Sequence, residues 1–212
     1  MTEGLLFGSG AGTRTDYSGA GISTRTPTSS RGSIGVVLLR NLIRTLLASP
    51  ASQKAAWRQW IVDFLMKVRS SESAIDELLL LCTTEGGPDG LDTAIDILAK
   101  TGEMVLEYAW EYLQRDLAHW TPASDRAYKP NDDYWYILLR AVGRTATDPK
   151  ERYRFITCCL HAQSRGIREG VVEGLRDLAT PMAKRTLQQL AQTDGDRYIK
   201  EIAAEALADL ES

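Results

Sequence analysis

Few residues in this chain are spaced to do chemistry. Cys158 and His161 place a thiol and an imidazole one helical turn apart, with Cys159 beside them. That spacing could offer two ligands to a metal, but a zinc site takes three or four protein groups. No second pair of the CxxC kind completes the set, so the thiols read as buried groups beside a helical stripe. The string Gly8-Ser9-Gly10-Ala11-Gly12-Thr13 lacks the lysine of a phosphate-binding loop, and no strand precedes it. The two histidines, His119 and His161, stand beside no activated nucleophile. The expectation is a protein that is not an enzyme and carries no cofactor or metal.

The bulk properties fit that reading. The chain has 212 residues, 43% apolar and 25% charged, with a formal charge of -3, as in an ordinary soluble globular protein. A small negative charge gives no broad pull on a phosphate backbone, so nucleic acid is not the default partner. Apolar runs such as Leu78 to Cys82 are far short of the ~20 residues that span a bilayer, and no membrane association is expected. Three cysteines, two of them adjacent, make no disulfide framework. With no secretory signal at the start, a reducing cytoplasmic compartment is expected.

The elements that must position any functional residue are helical. Residues 1–33 hold seven glycines and the tripeptide Thr-Arg-Thr twice. With little to bury beyond Leu5, Leu6, Phe7 and Ile22, they are expected to form a flexible tail that orders on binding. From residue 34 apolar residues recur every three or four positions. Leu39, Leu42, Ile43 and Leu46 share a stripe, and Pro50 closes it. Trp57, Trp60, Ile61, Phe64, Leu65 and Val68 form the next, which puts both tryptophans in the core. Helices are also expected at Glu72–Cys82, near Leu91–Leu98 and at Glu103–His119. Residues 34–119 make an N-terminal helical region, and 120–133, with Pro122 and Pro130, a loop or joint. No stretch alternates with period two, so the class is all-α.

Residues 134–212 repeat. Ile167-Arg-Glu-Gly-Val-Val-Glu-Gly-Leu-Arg-Asp-Leu178 aligns with Ile199-Lys-Glu-Ile-Ala-Ala-Glu-Ala-Leu-Ala-Asp-Leu210, with six of twelve positions identical at a shift of 32. The same shift sets Pro149 over Pro181 and Phe155 over Leu187, and each proline follows a capping residue, Asp148 or Thr180. Two helices in a period of the low thirties mark a stacked array. On these residues the segment resembles HEAT repeats in the short-helix form common in bacterial proteins. Asp194 stands at the family's turn aspartate and Lys200 where an arginine is usual. The preceding unit keeps Arg168 but has Ala162 in place of the aspartate. A further copy near Tyr134–Ala146 keeps only its apolar spacing. The resemblance implies a right-handed α-solenoid of helical hairpins whose second helices line a concave face.

On that face the shift carries Glu169 to Glu201, Glu173 to Glu205 and Asp177 to Asp209, six acids against Arg168, Arg176 and Lys200. Such rows fit a basic or polar protein surface. A second candidate is aromatic: Tyr108, Trp110, Tyr112, Trp120, Tyr128, Tyr134, Trp135 and Tyr136 lie close in sequence, and aromatic side chains dominate interface hot spots. Glu169, Glu173, Asp177, Glu201, Glu205, Trp135 and Tyr136 are therefore the expected partner-binding residues. The leading expectation is a non-enzymatic adaptor, scaffold or regulator that binds a protein through this face and its tail. A nucleic-acid-binding or base-repair protein would instead need Arg140 and Arg144 in a basic groove beside Trp135 and Asp133. A subunit of a larger assembly would be held through residues 1–33.

Overall fold

The apolar stripes fold where their periodicity puts them. Leu39, Ile43 and Leu46 are fully buried on α1 (Ser30–Ala48), which Pro50 terminates, and Ile61, Val62 and Leu65 are buried on α2 (Ala51–Lys67). The computed structural model describes residues 30–67, 72–117 and 131–212. Within them follow α3 (Glu72–Thr84), a 3-10 turn at Gly87–Asp89, α4 (Gly90–Ala99) and α5 (Glu103–Leu117). The C-terminal part holds α6 (Asp132–Arg144), α7 (Pro149–Cys158), α8 (Arg165–Leu178), α9 (Pro181–Thr193) and α10 (Arg197–Glu211). The described residues contain no strand, and the protein is all-α.

Local chemistry sets the C-terminal helix starts. Asn131, Asp148, Thr180 and Asp196 each accept a backbone N–H of the first turn of α6, α7, α9 and α10, satisfying donors that a helix leaves unpaired. Pro149 and Pro181 stand in first-turn positions that need no N–H. At the end of α8, Ala179 takes a left-handed conformation at φ 53°, a position that usually favours glycine.

Two boundaries differ from the sequence expectation. Asp132 and Asp133 belong to α6 rather than to the joint, because Asn131 caps the helix there. Ser30 to Ser33 are already helical in α1. The rest of the expected tail, residues 1–29, and most of the joint lie outside the described residues. Trp60 is the clearest departure. It shares the α2 stripe by spacing yet is 64% exposed, while Trp57 is partly buried.

The helices neighbour one another in two alternating series. Among the odd-numbered ones, α1 meets α3 through Arg40–Glu77 and the turn just after it through Arg44–Glu85, both at 2.6 Å. Tyr108 of α5 hydrogen-bonds Asp76 of α3. Trp110 of α5 packs edge-on against Phe155 of α7, with centroids 5.2 Å apart, and Tyr153 of α7 lies 2.9 Å from Thr186 of α9. The even-numbered helices pack in the same succession, α2 on α4, α4 on α6, α6 on α8 and α8 on α10. The approach of α6 to α8 is close: a Cβ on Gly174 would lie 2.7 Å from the Leu139 carbonyl oxygen, and one on Gly143 2.5 Å from that of Gly174. Only hydrogen fits between these backbones.

Candidate partner-binding surface

A chain of ion pairs crosses the even-numbered helices. Arg58 of α2 reaches Asp96 of α4 at 3.0 Å, and Arg144 of α6 reaches the same carboxylate at 3.2 Å. Arg144 also meets Asp177 of α8 at 3.0 Å, and Arg140 donates to Asp177 from Nε at 2.9 Å. Glu173 lies 3.9 Å from Arg140 and 3.5 Å from Arg176, whose guanidinium reaches Asp209 of α10 at 2.6 Å. The centre of this ladder is largely covered, with side-chain exposures of 14% for Arg140, 15% for Asp177 and 18% for Glu173. Burial works against the Arg140 charge, but the hydrogen bond and charge of Asp177 outweigh it and hold its pKa above the ordinary arginine value.

The expected site residues divide on this scaffold. Glu173 and Asp177 are spent on arginines within the molecule. Glu201 and Glu205 are exposed on α10, and Glu201 pairs with Arg197 of its own helix, at 2.7 Å. Glu169 is half-buried and accepts the Tyr198 hydroxyl at 3.2 Å, beside Arg165, whose guanidinium lies 5.4 Å from the centre of the Tyr198 ring. Tyr136 is half-buried, with the Arg140 guanidinium 5.6 Å from its ring centre. The outward part of the surface thus carries Glu201 and Glu205 beside the exposed Arg165 and Arg197, with Tyr198 and Tyr136 among them, and the ladder beneath it is neutralised.

Trp135 departs from its expected role. It is 1% exposed, donates from Nε1 to the buried Asp116 at 2.6 Å, and packs against Tyr112 and Phe155. It joins α5, α6 and α7 and leaves no side-chain surface for a partner. Tyr108, Trp110, Tyr112 and Tyr134 gather around the same junction, while Trp120, Tyr128 and His119 lie outside the described residues.

Arg168 orders the turns, but across hairpins. It donates to the Ala162 and Gln163 carbonyls at 2.8 and 3.1 Å and faces Asp194 and Asp196 of the following turn at 3.4 and 3.7 Å. Where the aspartate is replaced by Ala162, a backbone carbonyl takes its place as acceptor. Among the described residues no ion pair forms at Lys200. Between the two turns lies an open groove of about 740 Å³ lined by Arg168, Gln189, Thr193 and Asp194, among others.

Sequence reasoning missed Arg58 and Asp96 as members of the ladder, and Asp92 of α4, which lies 3.6 Å from Arg140. Their positions follow no repeat that aligns with α8 and α10, so only the folded neighbour relations reveal them. Among the described residues no group of three or more His, Cys, Asp or Glu is placed to hold a metal. Cys158 is exposed, whereas Cys82 and Cys159 are buried, and burial pushes both thiols up to about 12. No described helix is long and apolar enough to cross a membrane. The chain matches no protein-family model and no curated protein.

Proposed function

We propose that this protein is a non-enzymatic protein–protein interaction module, a cytoplasmic adaptor or regulator built as a right-handed HEAT-like solenoid. In this reading each odd-numbered helix is the first of a hairpin and each even-numbered helix the second. The second helices form the concave face, which takes a basic or polar protein surface while the N-terminal tail supplies a second contact. One observation carries the proposal. Arg58, Arg140, Arg144 and Arg176 are paired with carboxylates inside the molecule, while Glu205 and the solvent-facing Glu201–Arg197 pair lie exposed on α10.

The same pairing argues against a nucleic-acid reading. A phosphate backbone would have to pull Arg140 and Arg144 away from Asp177 and Asp96, and Trp135 has no face free for a base. The test is capture of partners from the native host with full-length protein and with the variant Glu201→Lys/Glu205→Lys. Both positions are exposed, so the fold should be kept. Capture of a basic protein should fall by about tenfold or more on charge reversal. Undiminished capture, or recovery of nucleic acid by the unaltered chain, would remove the reading.

A further inference from the structure

The α1–α2 hairpin is the first of the described neighbours, and one flank of it faces no other described helix. The phase of α1 sets Leu38, Leu42 and Thr45 on the flank opposite the Arg40 and Arg44 contacts with α3. On α2, Gln53, Trp57, Trp60, Phe64 and Lys67 occupy the flank opposite Arg58 and its α4 partner. The two flanks are joined, because Phe64 Cζ lies 3.9 Å from where a Cβ on Gly35 would stand. Leu38 is 50% exposed and Trp60 64%. Leu42, Trp57 and Phe64 beside them are half-buried, and Trp60 packs edge-on to Trp57 at 5.8 Å. Stacked helical hairpins require polar terminal faces to stay apart in water, and an exposed apolar patch of this kind marks an interaction surface.

Charge decides what can cover it. Arg40, Arg44, Lys54 and Arg58 are each paired, with Glu77, Glu85, Asp89 and Asp96. Over residues 35–67 only Asp63 and Lys67 remain, and they cancel. The flank is therefore apolar at its centre, with Thr45, Gln53 and Lys67 at its margin, and over residues 35–67 it carries no net charge, so bringing it against its own copy costs little like-charge repulsion. The far end of the succession is different: helical phase puts Lys184, Gln188, Lys200 and Glu211 on the flank of α9 and α10 turned away from α7 and α8. Head-to-tail stacking would press Trp60 and Leu38 onto those polar groups. A two-fold arrangement matches apolar to apolar and closes after two copies.

We infer that the Leu38–Trp57–Trp60–Phe64 flank is a two-fold interface through which two copies of this chain pair, an assembly that leaves the proposed partner face open. Sedimentation equilibrium of the full chain over roughly 1–100 µM tests it. The chain should sediment as a dimer. The variant Leu38→Glu/Trp60→Glu should raise the dimer dissociation constant about 100-fold, as expected for loss of a tryptophan anchor. Its far-UV circular dichroism should stay unchanged, because both residues are exposed. A wild-type chain that stays monomeric at the highest concentration overturns the inference, whatever covers the flank. So does a dimer that survives the double substitution, or assembly that continues beyond two copies. None of these outcomes depends on the acidic face, so partner capture by Glu201 and Glu205 stands or falls separately.

Discussion

At the scale of single residues, Asp177 and the buried thiols hold most of the consequences. Asp177 accepts a hydrogen bond from Arg140 and forms an ion pair with Arg144. Its removal strands a largely covered guanidinium on Glu173 at 3.9 Å and Asp92 at 3.6 Å. The substitution Asp177→Ala should cost about 2–3 kcal/mol, and Arg140→Leu in the same chain should return part of it, because an unpaired covered charge costs more than none. Urea unfolding of the two single variants and the double variant measures this, and strict additivity would show that the pair is not coupled. The thiols predict a pH dependence. Burial raises Cys82 and Cys159 to about 12, so the folded chain holds protons that the unfolded chain releases near pH 9. The contribution is full below that pH and is lost as pH rises toward 12, at about 1.4 kcal/mol per pH unit for each thiol. Stability of Cys82→Ala/Cys159→Ala measured across pH 8–11 should show a shallower alkaline decline than the unaltered chain, and an equal slope would contradict it. At pH 8 a thiol reagent should label Cys158 first.

At the scale of elements, the close packing of α6 on α8 makes a sharp demand. A Cβ on Gly174 would meet backbone atoms of Leu139, which cannot swing aside. The substitution Gly174→Ala should separate the two helices and cost about 1–3 kcal/mol in thermal or urea unfolding. Gly195→Ala, where nothing lies within 4 Å, should change stability by less than about 1 kcal/mol. Equal effects at the two positions would show that α6 and α8 do not touch as described. The C-terminal helices were legible beforehand because their caps and prolines are local signals, and because α8 and α10 share residues at a constant shift. The earlier helices hid their kinship for a physical reason. Contacts between successive elements span 37 residues for Arg40–Glu77, 38 for Arg58–Asp96, 48 for Arg144–Asp96 and 33 for Tyr153–Thr186. Varying connections keep the spatial neighbours and erase the period. Trp60 shows the companion limit: spacing assigns a residue to a stripe but does not say whether anything covers it. Trp135 shows the converse, since an aromatic side chain suited to an interface serves equally well as a junction.

At the scale of the whole molecule, stability should be distributed by position in the succession of helices. Each helix packs mainly on its immediate neighbours, so a segment's resistance to opening depends on how many neighbours it has and how much it buries between them. Seven residues of α6 and seven of α8 are buried, against three on α2 and three on α10. The ladder adds its most covered pairs at the same place, where Arg140 meets Asp177. Native-state hydrogen exchange should therefore find the slowest amides on α6 and α8, with protection falling toward α2 on one side and α10 on the other. Asp177→Ala should lower the protection of α6 and α8 more than that of α1 and α2, because the disturbance passes through neighbour contacts rather than through a shared centre. Uniform protection, or a uniform loss of it, would mean that the helices open as one cooperative body, and the neighbour-by-neighbour account would be wrong. The gradient also bears on function. In the proposed reading, Glu201 and Glu205 sit on α10, which this gradient makes one of the less protected helices, so a partner would be accommodated there by small helix shifts while the neutralised centre stays in register.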